Sequence, residues 1–489
     1  MIGQLSSCDY LDIVPDERAQ ESDTWKTEGA VRGYLYSCYG YLPANRTFGN
    51  SYWLAEELTA VTKELFTTFK YGYYSPVSLG FTSNTWSTIW NGIHQCYMFQ
   101  ESLKQVSNEY VTDEMKKQYL AESNFLIAYY HFLSMRSYGP TMIIRSVIDL
   151  ETPISGFPER SSIDEVVAFI NEKLDEAMSE GGLPTTWSGK DYGRATRLAA
   201  LALKSRVYLY AASPLYNGNT EMYADFRSPL DGRQLIAQEK SQAKWEISAT
   251  QTKYAIDEVE KAKFHLYHDA DAGEPSDAKP GLPNKAQRRL RYTNIDNQTG
   301  NNPEIIWADT RNDDYYGIQR RCPPRQTLGG KFAGISMTNC PTLQTIEAFY
   351  TKNGLPINKD KTFDYDERYE YISAPENCDG NNYEDLVKYA NFTPSSDKVM
   401  RLCTDREPRF YAWTTYHNGY FEFGKYNNEE ISADPAKRAI RIHLLRDDPH
   451  GRGNRTDQEY SISGFGNKKG VVPSAEWNVI CLLYTSPSP

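Results

Sequence analysis

The chain is short of the residues and patterns on which most enzyme chemistry rests. Only seven histidines occur in 489 residues, and none sits in a ligand-spaced pair. His265 and His268, three positions apart, read as surface polar residues, so no metal site is expected. There is no G-x-S-x-G, H-E-x-x-H, P-loop or dinucleotide fingerprint. With no site visible, no catalytic residue and no cofactor are expected, and an enzyme is the weaker reading. Plentiful Asp and Glu leave a glycosidase-like carboxylate pair open by counting alone, although Asp313-Asp314 reads as a solvated loop.

Other absences narrow the class further. The eight cysteines contain no C-x-x-C pair, which argues against zinc ribbons and fingers. Cys38 and Cys96 fall on apolar helical faces and are expected as buried thiols. No stretch approaches the roughly 20 apolar residues of a spanning helix. Basic runs are missing too: 53 Lys and Arg stand against 64 Asp and Glu, a net charge of −11. That balance argues against nucleic-acid binding and against charge-driven docking on anionic lipid.

Aromatic residues are abundant, with 37 Tyr and 9 Trp. Their apolar faces and polar tips suit wet binding surfaces, sugar sites among them, although most are expected in the core.

Helical periodicity dominates the first half. Trp86, Ile89, Trp90, Ile93 and Tyr97 mark one helical face. From Met115 to Tyr138 an amphipathic pattern turns apolar nearly all round, and Gly139-Pro140 ends it. Ser162 and Glu165 form a capping-box pair ahead of a third helix. Arg194 to Ala212 is rich in small residues, and a further helix is expected over Tyr254–Phe264. Successive helical pairs with alanine at close approaches suggest tetratricopeptide-like packing. Beyond residue 265 the chain becomes rich in Gly, Asn, Pro and aromatics. There loops and short strands are expected, with Asn302–Trp307 as a turn entering a strand. The fold class is therefore mainly α: a tetratricopeptide-like helical-pair scaffold with long loop-rich insertions and a few short strands. The expected division is a helical region over 1–265, a loop-rich region over 266–478, and a non-native tail over 479–489. The tail, from Cys481 to Pro489, resembles sequencing read-through, and native sequence is expected to stop near Asn478.

Five segments in order resemble the SusD/RagB family. They are Ser7-Cys8-Asp9-Tyr10-Leu11-Asp12; Ala128-Tyr129-Tyr130-His131-Phe132 with Arg136-Ser137-Tyr138-Gly139-Pro140; Tyr192-Gly193-Arg194-Ala195-Thr196 with Ala202 to Tyr210; Phe349 to Ile357; and Arg406-Glu407-Pro408-Arg409-Phe410-Tyr411. Most of these residues read as structural: Arg136 and Arg206 are expected to satisfy partners between packed helices. The family's later helical pair has no counterpart here. The resemblance implies an outer-membrane lipoprotein at the cell surface. Such a protein captures an oligosaccharide or another nutrient and delivers it to a SusC-like TonB-dependent transporter. A peptide cargo, or a scaffold that only docks proteins, are the alternatives.

Sugar C–H groups stack on aromatic faces and hydroxyls bond to Asn, Asp and Arg. On that chemistry, the candidate ligand contacts are Trp307, Arg311, Asn312, Tyr315, Tyr316 and Arg320 in one loop and Tyr73 and Tyr74 in another. Trp413 and Tyr416 form a weaker third group. Leu5-Ser6-Ser7-Cys8 resembles a lipobox, which makes Cys8 the lipidation candidate, and several acyl chains there anchor firmly to a membrane. Replacing Cys8 by Ala is expected to move the protein from the membrane to the soluble fraction on cell fractionation. Unchanged partitioning contradicts that anchor.

Overall fold

The computed structural model describes residues 25–43, 56–60, 81–149, 151–268, 270–271, 285–295, 302–310, 321–324, 337–373, 398–422, 425–426, 429–430, 439–448, 451–452, 460–471 and 481–485. The architecture is mainly α with short strands, as the sequence leads one to expect. Two compact units divide the chain: one holds residues 1–42, 81–187 and 194–259, the other 43–80, 188–193 and 260–489. The excursions at 43–80 and 188–193 have no place in a linear division near residue 265.

The first unit is a set of packed helices: α1 (Glu28–Tyr39), α2 (Phe81–Leu103), α3 (Asp113–Tyr138), α4 (Ile163–Ala177), α5 (Arg197–Ala212) and most of α6 (Gln242–Lys261). α3 packs against α1, α2, α4 and α5. This centrality is why its sequence is apolar nearly all round: Phe125 to Ala128, Tyr130 and Phe132 are all fully buried. Helix starts follow local chemistry. Thr112 caps α3 through Met115 N–H, Ser162 and Glu165 close the expected capping box on α4, and Thr196 caps α5 through Ala199 N–H. Gly92 lets α2 approach α3, because a Cβ there would lie 2.7 Å from the Tyr130 ring. The final helix differs from the expected Tyr254–Phe264 and runs over Gln242–Lys261. Its buried residues are only Ser248 and Ala255, so its first half has no apolar stripe to read.

A buried ion pair ties this unit together. Arg194 Nη2 donates to Glu122 Oε1 at 2.5 Å and Nε to Oε2 at 3.2 Å, while Tyr39 Oη donates to the same carboxylate at 2.6 Å. Arg194 also lies 4.1 Å over the Trp187 ring, whose N–H donates to the Ala195 carbonyl at 2.9 Å. Thus the G-R-A-T segment does two jobs: Arg194 neutralises a fully buried carboxylate, and Thr196 starts the next helix. Of the two arginines expected to be structural, Arg206 is half-buried, and Arg136 lies 6.0 Å from the Phe132 ring centre. Cys38 and Cys96 are buried free thiols, as expected.

Among its described residues the second unit holds loops, three short α-helices and two-stranded antiparallel ladders. Its helices are α7 (Lys285–Tyr292), α8 (Leu343–Ala348) and α9 (Pro408–Trp413). Ladders join 58–59 to 340–341, 371–373 to 398–400, 414–415 to 466–467, and 420–422 to 439–441. The expected strand after Asn302 is Ile305–Asp309, and it pairs with Cys481–Thr485. α7, polar in sequence, is nonetheless an interior helix: Arg288 and Arg291 are buried, and α7 packs against α9. Arg291 donates to the Lys468 carbonyl, and Lys468 Nζ donates to the Tyr420 carbonyl at 2.9 Å.

His131, from the A-Y-Y-H-F segment, carries a pH prediction. It is fully buried, its Nδ1 lies 2.8 Å from the Ile127 carbonyl, and Nε2 accepts from Ile144 N–H at 3.3 Å. Those partners suit the neutral imidazole, and burial lowers its pKa to about 4. The unfolded chain therefore takes up this proton first, near pH ~6.5. The stabilisation is complete above that pH and is lost as pH falls towards 4, by roughly 3 kcal/mol in the limit. Denaturant unfolding from about pH 7.5 to 4.5 should show this loss in the parent and a shallower slope in His131→Gln. Equal slopes contradict the assignment.

Candidate functional site

The second unit contains a segment organised around one guanidinium. Arg406 is buried and donates to four main-chain carbonyls: Phe349 and Leu402 at 2.6 Å, Ile346 at 2.7 Å and Tyr350 at 3.3 Å. It also packs 4.8 Å from the Phe410 ring centre, and burial lowers its pKa to about 10, which keeps it a cation at neutral pH. Neighbouring residues of the same motif complete the clasp. Glu407 accepts from Tyr350 N–H at 2.8 Å and pairs with Arg409 at 2.7 Å, and Pro408 opens α9 at a position that needs no N–H. The Phe349–Ile357 loop is closed on its other side by Asp360. That carboxylate accepts from Thr351 Oγ1 at 2.6 Å, Thr362 Oγ1 at 2.7 Å, Thr362 N–H at 2.9 Å and Asn353 Nδ2 at 3.0 Å. The hydrogen bond from Thr351 leads in holding its pKa well below the usual carboxylate range. Beneath lies a core that includes Ile346, Val399, Leu402, Phe410, Tyr416 and Phe465.

Phe465 of this core directly follows, in sequence, residues that line a cavity. The cavity has a volume of about 410 Å³ and is lined by Leu444, Arg446, Arg452, Tyr460, Ser461 and Ile462 with Gly451 and Gly464. Gly451 is required for closure, since a Cβ there would fall 1.9 Å from the Leu445 carbonyl. Arg446 and Arg452 are exposed, and Arg452 lies 5.0 Å from the Tyr460 ring centre. Ser461 Oγ donates to the Phe465 carbonyl at 2.5 Å, which fixes the turn that carries Tyr460. Two guanidiniums, a phenol and an aromatic face make a polar, cationic recess able to bind hydroxyls and carboxylates. The sequence reading missed it because its residues are scattered through a stretch without periodicity.

The sequence-predicted contacts fall differently. Trp307 is 3% exposed, and its N–H donates to the Gly193 carbonyl at 2.8 Å. Its ring therefore serves as core on the Ile305–Asp309 strand and offers no open stacking face. Tyr416 is likewise buried against Phe410 and Tyr411, and Trp413 is half-buried with its N–H on the Leu290 carbonyl at 3.0 Å. Arg311, Asn312, Tyr315, Tyr316 and Arg320 lie outside the described residues, as do Tyr73, Tyr74 and Cys8. In the first unit, half-buried Trp86, Trp90 and Tyr138 meet edge to face, with Trp86 centred 5.3 Å from Trp90 and 4.9 Å from Tyr138.

Residues 9–209 match a family model described as SusD-like, "Starch-binding associating with outer membrane", and residues 303–479 match the SusD family model. Together the matches take in more than half of the chain. The chain belongs to the SusD/RagB family. Among solved structures it is similar to the protein named BT4246, with 26% identity over 94% of this chain and 76% of that one, at a TM-score of 0.72. A SusD-like protein from Bacteroides fragilis shares the fold at 18% identity, covering 96% of this chain and 74% of that one, with a TM-score of 0.64. No curated protein matches. Two of the motif arginines of this SusD-family chain, Arg194 and Arg406, are thus buried cations, one inside each unit.

Trp307 also yields a prediction. Because its ring is core, Trp307→Ala should cost about 3–5 kcal/mol of stability. Denaturant unfolding tests this, and an unchanged midpoint contradicts it.

Proposed function

We propose that this SusD-family chain is a cell-surface binding protein that captures an oligosaccharide without turning it over and delivers it to a TonB-dependent transporter. The observation that carries the reading is the polar recess of Arg446, Arg452, Tyr460 and Ser461 on the loop-rich unit of a chain in this family. The guanidiniums bond to sugar hydroxyls and favour acidic sugars most, because charge-assisted hydrogen bonds are the stronger ones. The Tyr460 ring, already partnered by Arg452, adds a stacking face worth about 0.5–1.5 kcal/mol, by analogy with aromatic pairs. Contacts of that size give moderate affinity, which suits a protein that must release its cargo. Tyr315 and Tyr316 remain proposed contacts, together with Arg311, Asn312, Arg320, Tyr73 and Tyr74.

Docking to a transporter has separate support in the first unit. That support is limited to three strongly exposed apolar side chains, Ile154, Met222 and Leu230, at 92%, 71% and 77%, and the docking itself is proposed from the family membership. Attachment to the outer membrane is proposed to run through Cys8. Among the described residues no helix is long and apolar enough to cross a membrane.

Glycan titration of the purified protein tests the reading. Arg452→Ala and Tyr315→Ala are each expected to weaken oligosaccharide binding several-fold with a nearly unchanged thermal midpoint. A uronate-containing oligosaccharide should bind more tightly than its neutral counterpart. Release of reducing ends on long incubation, lost on changing one carboxylate, shows an enzyme instead. Binding of peptides with no glycan binding shows a different cargo.

A further inference from the structure

Beside the recess, but separate from it, three ligating side chains converge in the interior of the second unit. His417, His443 and Asp448 are 6%, 0% and 7% exposed. One donor atom from each lies within 4.8 Å of the other two. They come from two stretches held in fixed register. Asn418 N–H donates to the Ile442 carbonyl at 2.7 Å, and Ile442 N–H donates to the Gly419 carbonyl at 2.8 Å. This pairing sets the two imidazoles at 86° with centroids 5.7 Å apart. The carboxylate is aimed at the same place: Leu445 N–H donates to Asp448 Oδ2 at 3.1 Å, and that oxygen lies 3.8 Å from His417 Nδ1.

We propose that His417, His443 and Asp448 form a binding site for a divalent transition-metal ion, with zinc preferred. Two imidazoles and one carboxylate match the donor set of three-ligand zinc sites, which leave a fourth position for a small exogenous ligand. Calcium and magnesium ask for six or more oxygen donors, and this set supplies too few. Zinc bonds of about 2.0–2.2 Å put tetrahedral donors roughly 3.3 Å apart, so His417 Nδ1 and Asp448 Oδ2, now 3.8 Å apart, close by about half an ångström on loading. Leu444 N–H, which donates to His417 Nδ1 at 3.0 Å, gives up that lone pair to the ion if Nδ1 is the donor. A dication there also compensates a carboxylate buried away from water.

The consequence reaches the recess, since Leu444 and Arg446 belong to the stretch that carries His443 and Asp448. An ion would pin that stretch to the 416–419 turn and stiffen one wall of the cavity. The metal site stands on its own donors and does not depend on the ligand being a glycan.

The test uses the full chain, stripped with EDTA, dialysed and titrated with zinc against a chromophoric chelator, with melting followed in parallel. The parent is expected to bind about one zinc per chain and to melt higher when loaded. Asp448→Asn keeps the side-chain shape and an acceptor for Leu445 N–H, so it should fold and bind zinc at least 10-fold more weakly. His443→Gln should do the same. His265→Ala, which alters the exposed stacked pair of His265 and His268, should bind as the parent does. The proposal is overturned if the parent holds no zinc above buffer or if Asp448→Asn binds as tightly as the parent. It is equally overturned if His265→Ala removes the ion, or if calcium raises the melt as much as zinc.

Discussion

One buried guanidinium does for the loop-rich unit what a helix bundle or a large sheet does elsewhere. Loops leave carbonyls without regular partners, and a buried carbonyl without a hydrogen bond costs about 1–3 kcal/mol. Arg406 reaches four carbonyls from one rigid, planar group, sharing that of Tyr350 with Glu407 N–H at 3.0 Å, and they belong to α8, to the loop that follows it and to the stretch before Arg406 itself. Lysine has the charge but not the fork, which is why the two are not interchangeable here. Short ladders and short helices then suffice, because the junctions between them are already tied. The recess and the three-ligand cluster both lie in this unit.

The helical unit uses the same device in a different setting. Arg194, Glu122 and Tyr39 make a buried network whose loss of any member leaves a charge or a dipole unpaired in the interior. Such pairs are weak evidence for stability in themselves, but removing one partner is costly, and the geometry thereby specifies a single packing. Here the arrangement joins α1 to α3 and to the turn that starts α5. The apolar surface around α3 supplies the bulk of the driving force, and the ion pair sets the register in which it packs.

The helical scaffold was legible because its signals are local. Ser162 with Glu165, Gly139 after Tyr138, and the apolar run at Phe125–Ala128 each need only a few neighbours in sequence to be read. α6 was half-hidden because its buried residues, Ser248 and Ala255, form no stripe. The site was much less legible. Trp307 looked like a loop platform because aromatic residues near Asn, Asp and Arg suit sugar chemistry, yet strand pairing and the Gly193 carbonyl place its ring in the core. Arg288 and Arg291 sit in the region expected as loops and short strands, yet they lie inside on a short helix. His417 and His443 are far apart in sequence, and the 420–422 to 439–441 ladder, extended by the 418–442 pairing, brings them together. Long-range register decides these cases, and periodicity carries no information about it.

The loop-rich unit holds its shape through the Arg406 clasp. Hydrogen exchange on the full chain, comparing the parent with Arg406→Lys, tests it most directly. Arg406→Lys should exchange faster at amides of 346–363 and 399–411, where the tethered carbonyls and their neighbours lie, with unchanged protection in α3, α4 and α5. Unchanged exchange in both segments would contradict it, because the carbonyls would then be held by something other than this guanidinium.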